Sequence, residues 1–408
     1  MSNCRLCRKP LTHEILDLGL QPPANAYRAP ADLDLMEPHY PLRLMLCPAC
    51  GLAQLSTLID PRTIFTEYDY FSSYSSSWLR HAEAYVERML SERPLGRDAL
   101  VVEVASNDGY LLQYFVRRGV EVLGVEPAEN VAEAARARGV PTESFFWGLA
   151  SAQELRRRRG PADLLVANNV LAHVPDLNDF VAGFAAMLKP GGLATFEFPH
   201  LERLLAETQF DTIYHEHYSY LTLATARRLF ESHGLIVFEA EELPTHGGSL
   251  RLYAAPVETA PPVSSRVAAL LAREEAAGLG RLETYAAFSR AVERLKLELL
   301  DFLLTARKSG RKVLGYGAAA KGNTLLNYAG LRPDLLPAVA DLNPAKQGKF
   351  LPGSLIPIIS PEELTAARPD YVLILPWNLA EEIMTQLAAV KTWGGRFVTA
   401  VPGLNIRP

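Results

Sequence analysis

From Ala99 onward, short and almost wholly apolar runs alternate with helical segments, and that alternation leaves few folds open. Leu100-Val-Val-Glu-Val-Ala105, Val120-Glu-Val-Leu-Gly-Val125, Asp163-Leu-Leu-Val-Ala167 and Leu193-Ala-Thr-Phe-Glu-Phe198 each read as a strand. Helices between such strands are the pattern of a parallel, doubly wound sheet. Residues from about 235 to 255 read as its closing strands. A Pro-rich joint, Ala260-Pro-Pro-Val-Ser-Ser265, then leads into one long helical run to about Leu304. Lys312-Val-Leu-Gly-Tyr-Gly317, Val339–Asp341 and Tyr371–Leu375 begin a second α/β unit.

The segment ahead of this pattern is irregular and proline-rich, and it holds all four cysteines in two Cys-x-x-Cys pairs, Cys4 with Cys7 and Cys47 with Cys50. Four cysteines in 408 residues are too few for a disulfide scaffold. Two such pairs supply four corners of a tetrahedron, so zinc is expected, closed to water and structural. The gap from Arg8 to Leu46 excludes a short nucleic-acid-binding finger. The expected division is therefore a zinc-binding module over 1–65, a Rossmann-like domain over 66–258 and a C-terminal α/β domain over 259–408. A helix is expected from about Trp78 to Leu90, after the aromatic and serine-rich Tyr68-Asp-Tyr-Phe-Ser-Ser-Tyr-Ser75.

A net charge of −5 argues against a nucleic-acid partner held by many phosphate contacts. No apolar run suits a signal peptide or a membrane span, so no membrane partner and a cytoplasmic location are expected.

Glu103-Val-Ala-Ser-Asn-Asp-Gly109 follows the first strand of the sheet and turns into a helix. A nicotinamide dinucleotide would need Gly-x-Gly-x-x-Gly there, so that a pyrophosphate could approach the helix N-terminus. This loop has one glycine and two acidic residues, which repel a pyrophosphate but suit the sulfonium and ammonium of S-adenosylmethionine. Glu103, Ala105, Asn107 and Gly109 are thus candidate cofactor residues, with Glu103 acting through the turn or a water. Glu126, ending the second strand, stands where a carboxylate accepts both ribose hydroxyls. Asn168 and Asn169 end the next long strand and either line the methyl-transfer end or merely form the turn. Phe146 and Trp147 either flank the adenine or belong to the core. Leu188-Lys-Pro-Gly-Gly192, a turn into the last of these strands, also suits a methyltransferase.

Thr212-Ile-Tyr-His-Glu-His-Tyr-Ser-Tyr220 packs three tyrosines, two histidines and a glutamate into nine residues. Making a carbanion beside a carbonyl takes a base on the C–H and a donor near the enolate oxygen. Tyr214 and His217 share a face if the piece is helical, His215 and His217 if it is extended. Glu216 is placed to set a histidine's tautomer. His173, in Val170-Leu-Ala-His-Val-Pro175, is a second candidate. The spacing is not the His-Glu-x-x-His of a catalytic zinc site.

With the paired cysteines, Tyr68–Ser75 with Trp78, Glu103–Gly109, Asn169–Pro175, Tyr214–Tyr220 and Gly315-Tyr-Gly-Ala-Ala-Ala-Lys-Gly-Asn323, the chain resembles the deoxysugar C-methyltransferases over most of its length. These act on nucleotide-linked keto sugars. The resemblance implies structural zinc on the four cysteines, S-adenosylmethionine in the middle domain and a nucleotide sugar between the middle and C-terminal domains. It carries the base onto His217, with Tyr214 and Glu216 beside it, and it implies deprotonation next to a ketone followed by methylation of the enolate. By itself Gly315-Tyr-Gly317 with Lys321 is either a phosphate cradle or a close helix–strand contact. The resemblance favours the cradle, and it makes Tyr74 and Asn323 substrate contacts. Two other readings are a nicotinamide-dependent sugar oxidoreductase using the C-terminal glycine turn, and a zinc-organised interaction protein without catalysis.

Overall fold

A computed structural model of the chain describes residues 3–62 and 71–408. Tyr68–Tyr70 of the aromatic stretch, and the expected boundary between residues 65 and 66, lie outside the described residues.

The N-terminal segment, expected to be irregular, is an antiparallel sheet of β1 (His13–Gln21), β2 (Tyr40–Leu46) and β3 (Ala53–Leu55). Register shifts at Glu14/Leu16 and Asp17/Leu20 interrupt the period of two that marks a strand in sequence.

The central sheet begins with β4 (Leu100–Val104), β5 (Glu121–Val125), β6 (Thr142–Glu143), β7 (Ala162–Asn168) and β8 (Leu188–Pro199). These run parallel in the order β6-β5-β4-β7-β8. On β4, Leu100, Val102 and Val104 enter one apolar layer and Val101 the other, which is why the strand is apolar throughout. Leu188–Gly192 enters β8 irregularly, with Ala162 opposite Leu188 but Leu164 opposite Leu193.

The next strand, β9 (Ser219–Tyr220), leaves this sheet and pairs with β3 at the N-terminus, Gln54 opposite Ser219 and Ala53 opposite Tyr220. Then β10 (Leu235–Leu243) and β11 (Ser249–Pro256) close the central sheet, with β11 antiparallel between β8 and β10.

The helical run after the Pro-rich joint is two helices, Ser265–Ala276 and Leu282–Lys308. Gly278 takes a left-handed φ of 74° just past the first and ends it there, a conformation only glycine adopts without strain. The C-terminal sheet contains β12 (Val313–Tyr316), β13 (Val339–Ala340), β14 (Ile358–Ile359), β15 (Tyr371–Ile374), β16 (Arg396–Thr399) and β17 (Asn405–Arg407). It runs β14-β13-β12-β15-β16 in parallel, with β17 antiparallel at the edge.

The N-terminal sheet lies against both larger units. Its Leu42, Leu44 and Leu55 share a core with Phe288, Val292 and Leu325 of the C-terminal part. Cys4, Cys47 and Leu52 join the core that holds β4 and β8. In the central sheet the chain leaves β4 toward β5 on one side, while β7 lies on the other. That reversal opens a crevice at the carboxyl ends of β4 and β7. Among the described residues, no helix is long and apolar enough to cross a membrane.

Candidate active site

The crevice is a cavity of about 380 Å³. The turn after β4 forms one wall. Ala105 and Asn107 take left-handed φ values of 57° and 49°, which bends the chain sharply enough to turn the Asn107 N–H onto Glu126 Oε2 at 3.0 Å. The Ala128 N–H donates to Glu126 Oε1, also at 3.0 Å. Two backbone donors thus pin this carboxylate at the cavity wall, and burial still pushes its pKa up to about 7. Asn107 Oδ1 accepts from the Ser72 N–H at 2.8 Å, which closes the serine-rich segment over the turn.

Asn168 and Asn169 line the same cavity, and the carbonyl oxygens of both side chains are buried without a partner among the described residues. Buried acceptors left unpaired in this way await a donor. Phe146 and Trp147 both line the cavity; Phe146 is half exposed, and Trp147 is buried against Phe184 and donates from Nε1 to the Phe180 carbonyl at 3.2 Å.

Two expected cofactor residues lie elsewhere. Glu103 is fully buried outside the cavity lining, and burial raises its carboxyl well above the usual range. Gly109 packs the loop onto the helix behind it, because a Cβ there would meet Val140 Cγ2 at 2.8 Å. The turn needs that glycine for fit and for its φ of 77°, and it lies outside the cavity lining.

The same cavity is lined by Tyr214, Glu216 and His217 together with His173. Tyr214, Glu216 and His217 sit in a turn just before β9, neither helical nor extended, whereas His173 ends a short 3-10 helix that follows β7. His217 Nδ1 bonds the Thr212 carbonyl at 2.8 Å, and Nε2 lies 2.7 Å from the Tyr214 hydroxyl. A carbonyl only accepts, so Nδ1 carries the hydrogen and the Nε2 lone pair receives the tyrosine proton. Burial and the neighbouring His173 ring, 4.6 Å away, hold the His217 pKa well below the usual range. His173 is pushed down to about 4 by its own burial. The tautomer of His217 is therefore set by Thr212, while Glu216 accepts from Asn25 Nδ2 at 2.6 Å. His215 faces the Tyr40 ring outside the cavity lining.

Three cavity residues used below, Asn25, His246 and Lys346, escaped the sequence reading. Asn25 arrives from the connection between β1 and β2, where nothing local marks it. His246 has a left-handed φ of 54° and bonds Asn169 Nδ2 through Nε2 at 3.1 Å. Thr245 Oγ1 donates to Glu197 at 2.8 Å and Gln209 Nε2 to the Gly247 carbonyl at 2.7 Å, and these bonds hold the strained turn. A histidine ahead of Gly247-Gly248 was the available signal.

The C-terminal unit contributes Lys321 and Lys346 to the cavity. Lys321 Nζ donates to Asn378 Oδ1 at 2.7 Å and lies 4.7 Å over the Trp377 ring. Two N–H groups of the glycine turn are already committed within the protein. The Ala318 N–H already serves the Asp341 carboxylate at 2.7 Å, and the Gly317 N–H serves the Ala340 carbonyl at 2.7 Å. A carboxylate thus already accepts from this turn. Gly317 is required because a Cβ would meet Pro376 at 2.4 Å. Asn323 is buried, with neither amide atom hydrogen-bonded, but it does not line the cavity. Tyr74 is 74% exposed, packs on Phe71 and stays outside the cavity lining, so neither residue is brought to the site as expected.

At the N-terminus the four Sγ atoms lie within 4.8 Å of one another, with Cys4 to Cys50 and Cys7 to Cys47 both at 3.5 Å. Bonds of about 2.3 Å to zinc put tetrahedral sulfurs about 3.8 Å apart, so the set fits the ion. Both pairs fold alike. Arg8 N–H returns to the Cys4 carbonyl and Gly51 N–H to that of Cys47, and each of these donors has a left-handed φ.

A crevice walled by a pinned carboxylate and unpaired amide oxygens, with its two lysines confined to the far unit, suits a cationic nucleoside. The chain is an S-adenosylmethionine-dependent methyltransferase with a zinc-binding module. Residues 4–65 match a zinc binding domain, 77–240 a methyltransferase domain and 244–402 a C-methyltransferase C-terminal domain. The chain is 36% identical to C-methyltransferase NovU of Streptomyces niveus, over 98% of this chain and 96% of that protein. It is 30% identical to the ubiquinone biosynthesis O-methyltransferase of Rhodopseudomonas palustris strain BisB18, over 23% of this chain and 37% of that one. The magnesium protoporphyrin IX methyltransferase of Synechocystis PCC 6803, solved with bound S-adenosylmethionine, covers 43% of this chain and 78% of its own at 14% identity and a TM-score of 0.34. The protein belongs to the C-methyltransferase family.

Elemental analysis of the purified protein should find one zinc per chain. Cys47→Ser should lose the metal and lower Tm by several degrees, and a fully loaded variant of unchanged Tm would exclude the tetrathiolate.

Proposed function

We propose that the enzyme methylates a ring carbon next to the ketone of a nucleotide-linked keto deoxysugar, through an enolate. The observation that carries this reading is the Tyr214–His217 pair, whose tautomer is fixed and whose partners share one cavity with Glu126, Asn168 and Asn169. The C–H bond breaks, its electron pair forms the enolate, and the proton passes to the Tyr214 oxygen as the phenolic proton moves to His217 Nε2. S-adenosylmethionine, when bound, supplies the electrophilic methyl that the enolate carbon takes. His246, neutral and held by Asn169, is a donor for the enolate oxygen, and His173 flanks His217. Lys321 and Lys346 supply positive charge for a diphosphate. The resemblance to deoxysugar C-methyltransferases supports the substrate class.

Glu126 is the residue for the ribose hydroxyls, with Ala105 and Asn107 shaping that end and Asn168 and Asn169 accepting from the ammonium. Phe146 covers the adenine.

A panel of nucleotide keto sugars, assayed by mass spectrometry for the gain of one methyl, identifies the substrate. With it, Tyr214→Phe and His217→Asn should each lower kcat by about 10²–10⁴-fold while S-adenosylmethionine binds normally. The double variant should be little worse than the poorer single one. Near-normal turnover in His217→Asn would remove the pair from the chemistry.

Glu126 must be ionised to accept two hydroxyls. With its pKa raised to about 7 in the free protein, the carboxyl is protonated below that pH and charged above it. Affinity for S-adenosylmethionine, read by calorimetry, should therefore rise from about pH 6 to about pH 8. Glu126→Gln should weaken binding about 10–100-fold and flatten that profile. An unchanged slope in the variant would assign the titration to another group.

A further inference from the structure

The segment bearing Tyr214 and His217 runs directly into β9, and β9 is paired with the zinc-bearing N-terminal sheet. The residue after His217 is gripped from that side. Leu55 N–H donates to the Tyr218 carbonyl at 2.9 Å, and the Tyr218 hydroxyl donates to the Ile59 carbonyl at 2.7 Å. Arg5 spans the same junction, donating from Nη1 to the Tyr218 carbonyl and from Nη2 to the Leu55 carbonyl, both at 2.7 Å. Its backbone N–H donates to Gln54 Oε1 at 2.9 Å, and Gln54 Nε2 reaches Cys4 Sγ at 3.1 Å. Gln54 also stands opposite Ser219 in the β3–β9 ladder.

Arg5 is only 6% exposed. A guanidinium placed inside a protein loses its hydration and must be met by partners there. Here it rests on two carbonyls and the face of Tyr218, 5.7 Å from the ring centroid. A module needed only as a cap has no use for a buried cation aimed at the residue next to the proton-transfer pair.

We propose that the zinc site positions the acid–base segment. The tetrathiolate fixes Cys4. Cys4 fixes Arg5 through the chain and Gln54 through its sulfur. Arg5 and Gln54 then hold residues 218–220 in the register that sets Tyr214 and His217 on the cavity wall. Arg5 is thus a positioning residue, acting through the Tyr218 carbonyl. This inference rests on the reading of Tyr214 and His217 given above.

Arg5→Met in the full-length, zinc-loaded enzyme tests it, with Gln54→Leu as a milder second variant. Both should retain one zinc per chain and bind S-adenosylmethionine within about threefold of the parent, while kcat falls by about 10²-fold in Arg5→Met, the loss expected of a small misplacement. Amide exchange over residues 214–220 should quicken while β4, β5 and β7 keep their protection. Arg5→Lys should recover part of the loss. Unchanged exchange over 214–220 in both variants overturns the proposal, as does exchange that quickens equally throughout the central sheet. Faster exchange with undiminished kcat overturns it too. His217→Asn reads the acid–base assignment independently, so lost turnover in that variant places such a failure in the linkage and not in the chemistry.

Discussion

The site hangs on one carboxylate buried in the central sheet. Glu197, on β8 and fully inaccessible, accepts from Arg251 of β11 at 2.6 Å, from Thr245 at 2.8 Å and from the His81 ring at 2.8 Å. Arg251 joins the reversed strand β11 to β8. Thr245 opens the turn that carries His246 into the cavity. His81 stacks on Trp78, which stacks in turn on Tyr110 and meets the edge of His246. Sheet closure, the helix Ser76–Glu92 and one cavity wall therefore share a single anion. Its partners hold its pKa down to about 2 against the burial that opposes them. That contribution is complete above the unfolded carboxylate range and fades only as pH falls toward 2. Removing one partner would leave a charge stranded in the interior, at a cost of about 3–5 kcal/mol.

Sequence alone reached the parts of the fold whose burial is local and periodic. β4, β5 and β7 are covered on both faces, so their apolar runs read as strands without any partner being known. The N-terminal sheet was hidden for two reasons. Bulges break the alternation of β1, and its last strand comes from residues 219–220, far along the chain. No pattern within residues 1–65 could announce a strand supplied from there. The single helix expected after the Pro-rich joint failed at Gly278, where one left-handed residue sufficed to divide it.

The site divides in the same way. Cys4, Cys7, Cys47 and Cys50 were legible because metal geometry dictates spacing, and Glu126 because a strand end dictates position. Gly317 was ambiguous for a physical reason. The conformation that lets a glycine turn face a phosphate also lets it lie against a proline ring, and the carboxylate it meets, Asp341, comes from a neighbouring strand. Gly109 illustrates the same point at Val140. Tyr74 and Asn323 entered through resemblance alone, and neither lines the cavity. His246 needed its strained backbone to be seen, since an isolated histidine in a turn carries no weight until φ shows that its surroundings force it.

The proposed chemistry also explains why the cavity gathers imidazoles that resist protonation. His173 and His246 are pushed down to about 4, and His217 lies well below its usual range, each chiefly by burial. Lys321 adds to the repulsion felt by His217 and His246. A proton resting on His217 in the empty cavity would be expelled. Beside an enolate oxygen the balance changes, because the new anion lies in the same dry space and attracts what the cations repel. The pair would then hold its proton only while negative charge persists in the cavity, and methylation ends that charge. Weak basicity at rest is therefore compatible with a base in this position, and it returns His217 to the neutral, Nδ1-protonated form that the Thr212 carbonyl specifies.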